Sequence, residues 1–369
     1  MGAPGGSAAG RSRMPEGTAR VSRLRRSRPD RPGITRRPRG TGFSYLGVDG
    51  EAIRDPATLE RIEALVIPPA WSDVWICPDP DGHLQAVGVD AAGRRQYLYH
   101  QRWRERRDAQ KFRRIERFVE GLPDLRDQVS HDLERRGLPR ERVLGCTVRL
   151  LDAATFRIGN DDYTRQNGSF GLTTLRRDHV TVGRARAVFR YRAKGGVQRT
   201  HEVHDPDAVR VIRSLVRRDG GGRRLFVFRD ADRWFDVRAA DVNGYLRDGI
   251  GDDASAKDFR TWHATVLAAT GLASREVPGA STPQRTVDRA ISGMVRDVAE
   301  AMGNTPAVCR RSYIDPRVID RYREGRTIAE EVAALPDDAP ARWTEDARRD
   351  IELAVLALLR GDERAQRAA

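Results

Sequence analysis

The sequence predicts an α+β protein: a small antiparallel-sheet domain followed by a larger, mainly α-helical domain that carries a small sheet of its own. Three observations carry this. Between Gly42 and His100, short β-type runs are broken by Gly, Pro and Asp. From about residue 114 onward, apolar residues recur at helical spacing instead. One stretch inside the helical part, HVTVGRARAVFRYRAKGGVQRTHEVH, reverts to strand character.

In chain order, FSYLGVDG, DVWICP, LQAVGVD and RRQYLYH are the predicted strands of the first domain, with one helix between Asp55 as N-cap and Pro68 as terminator. The charged run QRWRERRDAQKFRRIERFVEGL leads out as a long helix, and the domain boundary is placed near residue 113. LPDLRDQVSHDLERRG and ERVLGCTVRLLDAATFRIG continue as helices, and NDDYTRQNGSFGLTTL reads as turns. In the strand-like stretch two β-type runs flank Lys194, Gly195 and Gly196, a hairpin with the lysine at its tip.

Helices then return with DPDAVRVIRSLVRR, ADVNGYLRDGI and SAKDFRTWHATVLAATG. Ser255 and Asp258 open the last of these with a capping box, and Lys257 and Arg260, three apart, are expected on one face. Val287, Ile291, Met294, Val295 and Val298 make the apolar side of the next helix, which Gly303 ends. Asp315 and Pro316 mark the N-cap and first turn of another, so Tyr313 stands on the approach to a helix N-terminus. Two C-terminal helices follow, the second with an apolar stripe at Ile351, Val355, Leu358 and Leu359. The expected organisation is a disordered basic tail over 1–41, a β-rich domain over 42–113, a helical domain over 114–325 and C-terminal helices over 326–369 packed on it.

With 369 residues, 39 % hydrophobic and 33 % charged, the chain has the composition of a soluble protein with a sizeable core. It has no apolar run of membrane-spanning length, and MGAPGGSAAGRSRM lacks the apolar core of a secretory signal, so an intracellular protein is expected. Cys77, Cys146 and Cys309 lie far apart without metal-ligand spacing and read as buried hydrophobes. Net charge is +14, and residues 1–40 alone hold eleven arginines against Glu16 and Asp30. Such a tail fits a polyanion, most simply nucleic acid. Only Lys111, Lys194 and Lys257 are lysines, against 64 arginines among the 67 basic residues. Where arginine serves for permanent charge, the few lysines are candidates for work that needs a proton able to leave.

The chemistry-bearing segments are FRIGN (156–160), SFGLTTLRRDHV, the hairpin lysine Lys194, KDFRTWHATVLAA and GNTPAVCRRSY, in that order. Their order and approximate spacing resemble the type IB DNA topoisomerases, in the compact poxvirus-like form found in bacteria. GRRQYLYH resembles the DNA-contacting strand of that family's small N-terminal domain. The resemblance covers residues 42 to about 325. It implies Tyr313 as nucleophile, Arg157 and Arg260 as the catalytic arginines, Lys194 as general acid and Lys257 as the lysine beside the second arginine. Asn304, nine residues before the tyrosine, stands where many members have histidine, and Thr265, five after the second arginine, has no assigned role. Gln96, Tyr97 and Tyr99 would meet DNA through the N-terminal domain, Lys111 and Arg113 would touch backbone phosphates, and His201, His204 and His263 would be structural or phosphate-adjacent. The implied architecture is a two-domain clamp around duplex DNA, acting as a monomer in a bacterial cytoplasm, associated with the nucleoid.

Elementary chemistry points the same way. Attack on a phosphodiester builds charge on the nonbridging oxygens, which two arginines can meet, and a departing 5′ oxygen needs a proton, which a lysine can give. There is no H-E-x-x-H, no carboxylate cluster of metal-site spacing and no Walker loop, so no cofactor is expected and a divalent cation at most stimulates. Two alternatives stay open: a tyrosine recombinase, in which histidine rather than Lys257 is typical three before the second arginine, and a non-enzymatic basic DNA-binding protein.

Overall fold

The computed structural model describes residues 23–335 and 345–361. The chain divides between Gln110 and Lys111 into two units.

In the first unit, five strands form an antiparallel sheet in the order β2-β1-β3-β4-β5: β1 Ile34–Arg39, β2 Gly42–Leu46, β3 Ser72–Ile76, β4 Leu84–Val89 and β5 Arg95–Tyr99. Helix α1 (Pro56–Ala64) covers it, started as expected by Asp55, whose carboxylate accepts from the Thr58 amide at 2.9 Å. Ile34, Ile62, Val74, Ile76 and Ala86 are the buried centre.

The expected basic tail needs correcting. Residues 1–22 lie outside the described residues, but Ile34–Arg39 is a sheet strand paired on both sides, with β2 and β3. Its arginines do not prevent this. Ile34 enters the core, and the Arg36 guanidinium donates to the carbonyls of Ile67, Pro68 and Trp71 while lying 4.0 Å from the Phe43 ring centre. Charge averaged over forty residues conceals a six-residue strand that buries Ile34 and leaves its last three residues exposed.

Helix α2 (Gln101–Glu120) runs from the first unit into the second. The second unit continues with α3 (Leu122–Glu134), α4 (Arg140–Ala153) and α5 (Asp161–Asn167), the last a short helix capped by Asn160 where turns alone were expected. The strand-like stretch forms a three-stranded antiparallel sheet of β6 (Val180–Val182), β7 (Ala187–Arg192) and β8 (Gln198–Val203), with Lys194–Gly196 at the β7–β8 tip as predicted. Then come α6 (Pro206–Arg217), the hairpin β9 (Val227–Asp230) and β10 (Arg233–Asp236), unforeseen in the sequence, and α7 (Ala239–Ile250).

Helix α8 (Ala256–Ala273) is buried on most of its surface and packs against α4, α7, α9 (Gln284–Met302), α11 (Pro316–Arg323), α12 (Ala329–Ala333) and α13 (Glu345–Arg360). Helix α10 (Pro306–Ser312) lies between α9 and α11. The predicted stripes on α9 and α13 are buried. One polar node sits inside this core. Arg126 of α3 pairs with both Asp152 of α4 and Glu352 of α13, and Glu352 also accepts from the Trp262 indole of α8 at 3.1 Å. All three cysteines are buried and unbridged. Among the described residues no helix is long and apolar enough to cross a membrane.

Candidate active site

Tyr313 is the half-buried residue that closes α10, its amide donating to the Cys309 carbonyl at 3.0 Å. Two residues on, Asp315 caps α11, accepting from the Arg317 amide at 3.0 Å, so the tyrosine occupies the short joint between two helices. Thr265, whose role the sequence left open, holds that joint. Its hydroxyl accepts from the Asp315 amide at 3.2 Å and lies 3.4 Å from the Tyr313 carbonyl, and it bonds the Thr261 carbonyl of its own helix at 2.8 Å.

The C-terminal end of α9 brings the two arginines together. The last carbonyls of a helix have no intrahelical partner and carry its negative dipole end, so they suit cations. Arg260 of α8 donates to the Met302 carbonyl at 2.8 Å and to the Thr155 carbonyl at 2.6 Å. Arg157 donates to the Gly303 carbonyl at 3.0 Å and to the Asn304 side-chain oxygen. Gly303 ends α9 in the left-handed region (φ 63°), where a Cβ would drive into the Arg199 guanidinium. Arg157 is itself held by backbone pairing of its segment with the 171–173 segment. There the Leu172 amide reaches the Arg157 carbonyl at 2.8 Å, and Gly159 and Gly171 approach too closely to allow a Cβ on Gly171.

The Arg260 guanidinium carbon lies 5.3 Å from the Tyr313 ring centre. Burial, then Arg157, draws Arg260 down to about 10, which leaves it cationic at neutral pH. Burial pushes the phenol of Tyr313 up, but Arg260, Arg157 and Lys257 act against it and leave it below the ordinary tyrosine value. Two buried donors at this site have no partner among the described residues, the Arg260 Nε and the Asn304 amide nitrogen. Such donors are costly to leave unpaired and fit an incoming oxyanion.

Lys194, Arg157 and Arg260 line one narrow cleft together with Arg199 and His201. The lysine is exposed at the hairpin tip, 5.8 Å from the Tyr163 ring centre. Lys257 and Arg260, expected on one face, differ in burial: Lys257 is exposed, Arg260 only 4 % accessible. Arg199 had no expected role, and His201 was expected to be structural or phosphate-adjacent. Both face inward by the two-residue alternation of β8, which is the signal that could have found them. Burial, then Arg199 and Arg260, brings His201 down to about 4, so it is neutral in the cleft. His263 is also brought to about 4, first by burial, and bonds the Asp152 carbonyl at 2.9 Å, a structural role. Among the described residues no group of three or more His, Cys, Asp or Glu is arranged to hold a metal.

In the first unit, Tyr97 and Tyr99 are exposed on one face of edge strand β5, their rings 6.3 Å apart and 24° from parallel. Gln96 is on the opposite face, where its amide donates to Asp90 at 2.9 Å. Arg113 is exposed, whereas the Lys111 ammonium is turned onto the Ser312 carbonyl at 2.6 Å.

The family described as "Eukaryotic DNA topoisomerase I, catalytic core" matches residues 100–336, which hold Tyr313 and every residue around it. The chain belongs to the type IB DNA topoisomerase family. It is therefore an isomerase that acts on DNA. The N-terminal domain of bacterial DNA topoisomerase IB matches residues 42–90, within the five-stranded sheet unit. Among curated topoisomerases, DNA topoisomerase 1B of Acanthamoeba polyphaga mimivirus is 27 % identical over 323 residues, 86 % of this chain and 96 % of that protein. DNA topoisomerase 1B of Vaccinia virus (strain Western Reserve) is 20 % identical over 247 residues, 64 % of this chain and 72 % of that protein. DNA topoisomerase 1 of Schizosaccharomyces pombe is 27 % identical over 168 residues, 45 % of this chain and 19 % of that protein.

Proposed function

We propose that this topoisomerase relaxes supercoiled duplex DNA by cutting one strand through a 3′-phosphotyrosine at Tyr313, letting the free 5′ end rotate, and resealing. The Tyr313 phenol gives its proton to water and its oxygen attacks phosphorus; the new phosphorus–tyrosine bond forms as the bond to the 5′ oxygen breaks, and Lys194 gives that oxygen a proton. Resealing is the reverse. One phosphodiester is exchanged for another, so the cycle needs no ATP.

The positive charge required at the phosphoryl oxygens comes from Arg157 and Arg260, with the Asn304 amide as a third donor, and so no obligatory metal enters the scheme. The observation that carries the reading is that two arginines anchored on the end of α9 act on one phenol, Arg260 at 5.3 Å from its ring centre and Arg157 beside it, with Asn304, its amide nitrogen unpartnered among the described residues, bonded to Arg157 through its oxygen. Only one nucleophile is needed per strand cut, which fits a monomer on duplex DNA in a bacterial cytoplasm.

The deciding experiment is relaxation of a negatively supercoiled plasmid in EDTA without ATP. Full relaxation, with a covalent DNA adduct mapping to Tyr313, is expected. DNA binding without relaxation, or an adduct on another residue, would sink the proposal.

A further inference from the structure

Polar side chains of helix α2 meet the segments that carry the reacting groups. The Lys111 ammonium donates to the carbonyl of Ser312, the residue before Tyr313, at 2.6 Å. Arg114 pairs at 2.5 Å with Asp258, the residue after Lys257 and the one whose carboxylate caps α8. Glu116 pairs with Arg317, which in turn pairs with Asp315, two residues beyond Tyr313. Lys111 and Glu116 therefore grip the tyrosine joint from either side, while Arg114 grips the start of the helix that carries Arg260. The hydroxyl of Thr265 holds the same joint from the α8 side.

Within the joint the Tyr313 and Ile314 amides return to the Cys309 carbonyl. The Ser312–Tyr313 peptide sets where the tyrosine side chain begins, so a rotation of that peptide swings the phenol oxygen relative to Arg157 and Arg260. The Ser312 carbonyl is at the C-terminal end of α10, where a cation meets the negative end of the helix. In a chain that otherwise chooses arginine, a lysine on this carbonyl is notable: its compact ammonium on a flexible stem reaches the carbonyl without needing room for a planar fork.

We infer that Lys111 is a positioning residue for the nucleophile, acting through the Ser312 carbonyl to hold the Tyr313 peptide in the orientation that aims the phenol at phosphorus, and not a phosphate-gripping residue. This rests on the strand-cutting role given to Tyr313 above. The two outcomes separate cleanly by rate and affinity. A phosphate contact contributes to DNA affinity and its salt dependence, whereas a positioning bond contributes to the chemical step alone, where a misplacement of about 1 Å can cost on the order of 10²-fold.

The test uses the full chain and a duplex oligonucleotide whose cleaved strand loses a short 3′ fragment, trapping the covalent adduct in a single turnover. Lys111→Met should bind this duplex with wild-type affinity and salt slope yet form adduct about 10- to 100-fold more slowly at saturating DNA. Lys111→Gln, which keeps a polar head and so protects folding but falls short of the carbonyl, should show the same drop. Lys111→Cys alkylated with bromoethylamine, which rebuilds an ammonium of nearly the original reach, should regain most of the rate, the three native cysteines being buried. The inference is overturned if Lys111→Gln forms adduct at the wild-type rate, or if its salt slope falls by about one while the saturated rate is unchanged. Failure of the wild-type chain to form any adduct would instead overturn the role of Tyr313, and that measurement is made first.

Discussion

The guanidinium of Arg260 stands 5.3 Å from the ring centre of Tyr313, itself anchored on two backbone carbonyls at 2.6 and 2.8 Å. The cation is thus fixed by the backbone and, among the described residues, is paired with no carboxylate. Its charge is available to the phenol before cleavage and to the phosphoryl oxygens during it.

A pH profile reads this directly. Because the phenol lies below its ordinary value, the cleavage rate at saturating DNA should climb with pH and level off below pH 10. Arg260→Ala removes the largest of the influences that lower it. The rising limb should move to higher pH, together with a loss of about 10³-fold or more at neutral pH. Single-turnover cleavage across pH 6 to about 10 is the measurement; an unshifted limb would mean that another group titrates.

Tyr313→Phe keeps the ring over Arg260 and loses only the oxygen. DNA affinity should stay within about 3-fold of wild type by gel shift, the phenol's share of binding being at most a neutral hydrogen bond, while adduct and relaxation vanish.

At Asn304 the oxygen and nitrogen of one amide have separate tasks, the first accepting from Arg157 and the second left without a partner. Asn304→Asp keeps the acceptor and removes the donor. It should cost at least as much as Asn304→Ala, about 10²-fold in cleavage rate. If Asn304→Asp retains wild-type activity, the amide's work is only to hold Arg157.

Stability should depend on Arg126. Burial raises the carboxyl of Asp152, yet Arg126 more than offsets this and holds it at about 2. That folded value is below the unfolded value of about 4, so the contribution is complete above about pH 4 and is lost as pH falls toward 2. Arg126→Ala leaves Asp152 and Glu352 buried without their cation and should destabilise by about 3 to 5 kcal/mol in urea denaturation at pH 7. The loss relative to wild type should shrink on acidification.

On β5, Tyr97→Ala and Tyr99→Ala should each weaken duplex binding by about 0.5 to 1.5 kcal/mol without altering the salt slope, as neutral hydrogen bonds to sugar or phosphate rather than ionic contacts would. Gln96→Ala should do less, since that amide is already engaged by Asp90. Fluorescence anisotropy at two salt concentrations decides.

The sequence by itself determined the α+β class, the capped helices and the hairpin with Lys194 at its tip, while the residues expected around Tyr313 were implied only by the family resemblance. The class, caps and hairpin rest on short-range signals: the alternation flanking Lys194, the Ser255 and Asp258 pair, Gly303 after an amphipathic run, Asp315 before Pro316. It did not reveal β1, because the partners that satisfy Arg36 are thirty or more residues away. Nor did it show that the end of α9 seats both arginines, that Thr265 and Lys111 hold the tyrosine joint, or that Gln96 faces away from Tyr97 and Tyr99 toward Asp90. Local pattern fixes which way a side chain leaves its own helix or strand. Which carbonyl or carboxylate it meets depends on how distant elements pack, and only the tertiary structure decides that.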